Sequence, residues 1–211
     1  MLGGGLAFLV GFLLGSIPAA WVIVRLVTRK DLSTSGSTNV GALNALRVSK
    51  SKWVGVGVLV FDALKGALSV FVGGFLATQF GSDVIVGQSA GAVGAVAGHN
   101  YNPWLSMAAG KLVGGKGFAA AAGALFAFMP WIVPAWLGLS LLAWLVFKFW
   151  RGITDEAPAT AFASLAIIPI AYQLYGTPGA VVTTGFAVVI MPKLVREVRL
   201  LLFTRPPDAT T

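Results

Sequence analysis

The chain has 211 residues, of which 57% are hydrophobic and only 10% charged. That balance excludes an ordinary soluble domain and points to a polytopic membrane protein. There is no cysteine, so disulfides and thiolate metal sites are excluded, and the net charge of +8 reads as the cytoplasmic flanks of membrane helices, not as a nucleic-acid surface.

In chain order, seven apolar runs are candidate spans, at about 3–25, 53–76, 84–99, 117–130, 131–149, 157–174 and 178–195. The start, Met1-Leu2-Gly3, lacks the basic flank of a signal peptide, so no cleavage is expected. Pro130 predicts a tight turn between the fourth and fifth runs. Tyr175-Gly176-Thr177-Pro178-Gly179 predicts another between the sixth and seventh. The 27 glycines suit close helix packing.

Charge placement tests the count. With the N-terminus outside, the inner loops carry Arg25, Arg29, Lys30, Arg47, Lys50, Lys52, Lys111, Lys116, Lys148 and Arg151. Lys193, Arg196, Arg199 and Arg205 also fall inside, and the outer loops carry only Asp83. The positive-inside rule then demands an odd number of spans. The expected fold is an all-α polytopic membrane protein, residues 1–211 forming one seven-helix domain. Its N-terminus is outside, its C-terminus is cytoplasmic, and residues 204–211 form a flexible tail.

Lys65 lies inside the second run, three residues after Asp62, so both fall on one helix face. Intramembrane charges face the bundle interior in pairs. A structural ion pair and a site role are both open here, and they are compatible.

Polar residues gather on the inner side. In the first inner loop, Ser37 or Asn39 is placed to cap a short helix running through Arg47. Ser37, Val40, Asn44 and Arg47 would then share one face, a plausible phosphate contact. An interfacial helix turned to headgroups is the alternative. The second inner loop opens with His99-Asn100-Tyr101-Asn102, His99 being the only histidine. With no second His or Cys, metal binding is not expected. The loop ends in Gly114-Gly115-Lys116-Gly117, before the helical run 118–128. Glycines there let backbone N–H groups approach an anion. Gly110 to Lys116 matches G-x-x-x-x-G-K, but Gly117 stands where a nucleotide-binding loop needs Ser or Thr, and no strand precedes it. The nucleotide reading is rejected.

Several stretches together resemble the PlsY family of bacterial membrane acyltransferases. They are Gly15-Ser16-Ile17-Pro18, the loop Gly36-Ser37-Thr38-Asn39-Val40-Gly41-Ala42-Leu43-Asn44 with Arg47, Phe61-Asp62-Ala63-Leu64-Lys65-Gly66, Gly98-His99, and Gly114-Gly115-Lys116-Gly117-Phe118-Ala119. The match runs from about residue 10 to 125. The resemblance implies seven spans in the orientation above and a cytoplasmic active site in the bacterial inner membrane. It implies acyl transfer from acyl phosphate to the 1-hydroxyl of sn-glycerol 3-phosphate, giving lysophosphatidic acid and phosphate, the first step of phospholipid synthesis. By position it assigns phosphate binding to Gly114, Gly115, Lys116, Gly117 and Arg47, and catalysis to Ser37, Arg47, Lys116 and His99. Asn39, Asn44, Asp62 and Lys65 match supporting polar positions. The expected partners are the two substrates and membrane lipid, with no cofactor, no metal, no nucleic acid and a monomeric state.

The chain departs from the family pattern at several places. Thr38 replaces a glycine and Leu43 a threonine, and the segment from His99 to Gly114 is longer. Ser164 matches one member of a serine pair. In the last run, aligning on Arg199-Leu200-Leu201 puts Lys193 at a histidine position, Arg196 at an asparagine position and Arg205 at a glutamate position. Lys193 and Arg196 are the candidate C-terminal contacts. Two further classes stay open: a catalytically altered homologue that binds lipid precursors or a partner, and a small-solute transporter using Asp62 and Lys65.

Overall fold

The computed structural model describes residues 2–153 and 156–203, without the side chains of residues 156, 157, 196–198 and 200–203. The elements described are all helices: α1 (Leu2–Gly15), α2 (Ala19–Thr28), α3 (Ala42–Ser49), α4 (Lys52–Gln79), α5 (Val84–Asn100), α6 (Pro103–Ala109), α7 (Phe118–Phe128), α8 (Ile132–Arg151) and α9 (Glu156–Phe203). They form two compact units, Met1–Phe128 and Met129–Thr211.

In the first unit, α4 packs against α1, α5 and α7, and α5 also packs against α1. The arrangement is inside out relative to a soluble bundle. Phe61, Leu64, Leu68, Phe71 and Phe75 of α4 are exposed, following helical periodicity, while Asp62, Lys65, Gly66, Ser69 and Gly73 are buried. Such a helix is stable only where its outer surroundings are apolar, so the side-chain distribution itself requires a bilayer. Small residues bring the helices together. A Cβ on Gly66 would collide with the carbonyl oxygen of Ala120, and one on Gly123 with that of Ala63. Each glycine therefore lets α4 and α7 touch backbone to backbone.

Two expectations need correction. The first apolar run is not one continuous helix: α1 ends at Gly15 and α2 begins at Ala19. Pro18 has no N–H to bond back to Leu14, so the ladder opens there. The helix expected from Ser37 through Arg47 begins only at Ala42, with extended Gly41 as its cap and no side-chain capping bond. Ser37, Val40, Asn44 and Arg47 do not form one helical stripe. Thr38 and Gly36 both have positive φ, at 62° and 61°, so the loop curls where a helix would have continued. Thr38 keeps the left-handed backbone that glycine adopts freely, at a cost.

The second unit is α8 against α9. Helical geometry breaks inside α9 at Gly176 (φ 64°, ψ −151°). A Cβ on Gly179 would strike the carbonyl oxygen of Ala171, eight residues earlier, so the chain folds back on itself at the expected turn. Trp136 Nε1 donates to Ser164 Oγ (3.1 Å), which donates to the Thr160 carbonyl (2.7 Å). Ser164 therefore has a packing role, tying α8 to α9.

Four helical stretches are long and apolar enough to cross a membrane: Leu2–Thr28, Lys52–Gln79, Ile132–Arg151 and Pro158–Val195, the last interrupted by Gly176. The third and fourth expected spans, α5 and α7, are shorter, at 17 and 11 residues. The tail 204–211 lies outside the described residues.

Packing at the α4–α7 seam predicts that Gly66→Val destabilises the protein by about 1–3 kcal/mol or more. Leu64→Val on the outward face stays within about 0.5 kcal/mol. Thermal melts in one detergent compare the two. Thr38→Gly is expected to stabilise by roughly 0.5–1 kcal/mol, because the left-handed penalty of a β-branched residue exceeds glycine's extra unfolded-chain entropy. Thr38→Val, which keeps the strain, is expected to show no such gain.

Candidate active site

The centre of the first unit is a buried ionic cluster. Asp62, Lys65 and His99 are 1%, 5% and 7% exposed. An ammonium carries three N–H donors. Lys65 Nζ lies against three groups: it is ion-paired with Asp62 Oδ1 at 2.8 Å, hydrogen-bonded with His99 Nδ1 at 2.9 Å and donates to the Ile17 carbonyl at 3.2 Å. Asp62 Oδ1 also lies 3.5 Å from His99 Nδ1. The expected pairing of Asp62 with Lys65 is present, and His99 joins it from α5.

The break between α1 and α2 makes this possible. Carbonyls released from the helical ladder at Ser16 and Ile17 need donors. Lys65 supplies one to Ile17. Asn102 Nδ2 supplies the other, donating to the Ser16 carbonyl at 2.6 Å, and Trp104 Nε1 donates to Ser16 Oγ at 2.9 Å. Asn102 Oδ1 in turn accepts from Leu105 N (3.0 Å) and starts α6. One proline thus generates the anchor points for both α4 and the second inner loop. Asp62, Lys65, His99 and Asn102 line a small pocket, with Ile17–Ala20 and Val40 as its other wall.

The glycine turn closes over this cluster. Gly115 N donates to the His99 carbonyl (3.0 Å), Val40 N to the Gly114 carbonyl (3.2 Å) and Asn102 N to the Val113 carbonyl (3.0 Å). A Cβ on Gly115 would overlap His99 Nε2, so only glycine admits the imidazole here. Gly117 has φ 79°, and a Cβ there would sit 2.5 Å from Asn100 Oδ1. Lys116, half-buried, lies between these two constrained glycines, immediately before α7.

The first inner loop is shaped by Asn44, which is fully buried in α3. Its amide donates to the carbonyls of Leu32 (3.3 Å), Ser35 (3.0 Å) and Asn39 (2.9 Å), and its Oδ1 accepts from Ser37 N (2.9 Å). Asp31 opens the loop, accepting from Ser33 Oγ (2.6 Å), Ser33 N (2.8 Å) and Trp21 Nε1 (3.1 Å). The Ser33 hydroxyl bond outweighs partial burial and holds the Asp31 carboxyl below the usual aspartate value. The Ser37 side chain is exposed at the loop tip and Asn39 is half-buried. Arg47 is exposed in the last turn of α3, with no ion pair among the described residues.

Asp62, Lys65, His99 and the Gly114–Gly117 turn are therefore in contact, and the first loop joins them at Val40. Ser37 and Arg47 do not touch the cluster. Asn44 supports the loop from within. Lys193 is half-buried in the second part of α9, and the side chains of Arg196 and Arg205 lie outside the described residues. Residue-type reasoning passed over Ser16 and Asn102 as site residues. The available signal was Pro18 inside an apolar run, which frees carbonyls that some donor must satisfy.

Comparison with known proteins identifies the family. The family described as glycerol-3-phosphate acyltransferase matches residues 5–202. The glycerol-3-phosphate acyltransferase of Syntrophotalea carbinolica is 39% identical over 184 residues, 87% of this chain and 85% of that one. Its counterpart in Rhodospirillum rubrum is 36% identical, covering 82% of this chain and 76% of that protein. The crystal structure of PlsY, an integral membrane glycerol 3-phosphate acyltransferase, in its glycerol 3-phosphate form, superposes with a TM-score of 0.72 at 27% identity, covering 97% of this chain and 94% of that one. With the family model matching residues 5–202 and a relative 39% identical over 87% of this chain's length, the chain belongs to the glycerol-3-phosphate acyltransferase family.

Proposed function

We propose that this protein transfers an acyl chain from acyl phosphate to the 1-hydroxyl of sn-glycerol 3-phosphate, releasing lysophosphatidic acid and inorganic phosphate. The observation that carries the reading is the glycine turn seated on His99. Three glycines, the half-buried Lys116 and the buried His99 meet there. A phosphate monoester is the ligand that such a turn and its lysine suit.

The chemistry matches the inventory. An acyl phosphate is a mixed anhydride with a good leaving group. The glycerol hydroxyl oxygen bonds to the acyl carbon, the carbon–oxygen bond to phosphate breaks, and the hydroxyl proton passes to the departing phosphate. Charge grows on the departing phosphate, where Lys116 and Arg47 stabilise it. Ser37, exposed and without a basic partner among the described residues, serves as a hydrogen-bonding contact and not as an acyl-enzyme nucleophile. Holding both substrates in register does much of the work. The acyl chain enters from the bilayer.

The proposed topology is seven crossings with the N-terminus outside and the active site facing the cytoplasm of a bacterial inner membrane. The one-sided distribution of Lys and Arg supports it, as does the reversal at Gly176, which divides Pro158–Val195 into two crossings. The proposed working state is a monomer.

Purified protein with acyl phosphate and glycerol 3-phosphate is expected to release phosphate and form lysophosphatidate. Arg47→Ala and Lys116→Ala are each expected to lower kcat/KM on the order of 10²-fold or more. Glycerol 3-phosphate binding without phosphate release would replace the enzyme reading with a binding one. Topology is read by cysteine labelling, for which the cysteine-free chain is a clean background. Gln79→Cys is expected to react with an impermeant maleimide in intact spheroplasts, and Lys52→Cys only after permeabilisation. The reverse pattern would invert the orientation.

A further inference from the structure

The three partners of Lys65 have a consequence for His99. An ammonium at 2.9 Å from Nδ1 can only donate, so Nδ1 must present its lone pair. Lys65 Nζ also donates to the Ile17 carbonyl at 3.2 Å and forms an ion pair with Asp62 Oδ1 at 2.8 Å. A neutral imidazole with an unprotonated Nδ1 carries its proton on Nε2. Nε2 is the atom packed against Gly115, and it makes no hydrogen bond among the described residues, although the ring is 93% buried by its 7% exposure. An Nε2–H set against Gly115 is placed to donate to a group held in the glycine turn.

We infer that Lys65 is a positioning residue that locks His99 in the Nε2–H tautomer, and that this N–H donates to an oxygen of the phosphate group held in the glycine turn. His99 is thus a hydrogen-bond donor in this enzyme and not its general base, since one ring nitrogen is protonated and the other is committed to Lys65. Asp62 balances the Lys65 charge and keeps the ammonium oriented. The inference deepens the proposed function and rests on the glycine turn being the phosphate site, but the tautomer is a property of the substrate-free protein and is tested separately.

Because His99 is the only histidine, selective 15N-histidine labelling of the full chain, purified in micelles with a histidine-free tag, reports one ring. Two-bond couplings from the ring protons to the two nitrogens distinguish the tautomers. The expected spectrum of the substrate-free wild type at neutral pH is the Nε2–H form. An Nδ1–H form or an imidazolium would overturn the inference. Lys65→Met removes the donor and leaves Asp62 as the neighbour of Nδ1, so the proton is expected to move to Nδ1. An unchanged tautomer in that variant would show that Lys65 does not set it. Asp62→Asn keeps the lysine and is expected to retain Nε2–H, which preserves a test should Lys65→Met fail to fold. Titrating glycerol 3-phosphate, or inorganic phosphate as the simpler anion, is expected to shift the Nε2 resonance saturably. Binding seen by calorimetry with no change at Nε2 would remove the phosphate contact while leaving the tautomer standing. In the activity assay His99→Gln, which places an amide N–H near the Nε2 position, is expected to retain about tenfold more kcat/KM than His99→Phe. Equal losses would sink the donor role.

Discussion

A lysine ammonium in a membrane interior needs partners, and the first unit is arranged around the ion pair and two hydrogen bonds of Lys65. The partners come from three parts of the chain: Asp62 from α4 itself, His99 from α5 and the Ile17 carbonyl from the break between α1 and α2. Removing one partner of such a buried group costs several kcal/mol, far more than an exposed pair. The ion pair therefore works as a three-way joint. It fixes the rotation of α4 and the height of α5, and it gives the opened α1–α2 segment a reason to stay open.

The same economy governs the loops. Each of the two loops carries one short helix, α3 or α6, and is otherwise irregular. Each is held by a buried asparagine whose amide stands in for missing backbone partners: Asn44 for the first loop and Asn102 for the second. An asparagine side chain offers two donors and an acceptor on a short stem, so one residue can close several turns at once. The glycine turn then spans the two loops, bonded to Val40 on one side and to His99 on the other. The result is a glycine turn held on both sides by backbone bonds, beside the Asp62–Lys65–His99 cluster.

Much of this was legible from residue order. The apolar runs, the one-sided basic residues and the glycine turn depend only on local composition and period, and the helices occur near where hydropathy places them. Asp62 and Lys65 share a face because three residues on a helix always do. What was misread followed from Pro18 and from the curled loop. A stripe of Ser37, Val40, Asn44 and Arg47 is a valid helical pattern, but the backbone leaves helical space at Gly36 and Thr38, and Asn44 is turned inward to hold the curl. Periodicity cannot reveal that a side-chain amide will outcompete a helical ladder.

The sequence by itself determined that the chain belongs in a membrane, which residues are polar there, and which backbone positions need glycine, because these follow from composition, hydropathy and steric rules that act within a few residues. Only the tertiary structure decided that Lys65 reaches His99, 34 residues away, and Ile17, 48 residues away. It also decided that the imidazole presses on Gly115 and that Asn102 caps a broken helix 86 residues before it. Those contacts depend on helix rotation and on how close glycines allow backbones to come. No local pattern encodes either quantity. Both are set by the requirement that every buried donor in an apolar medium find an acceptor.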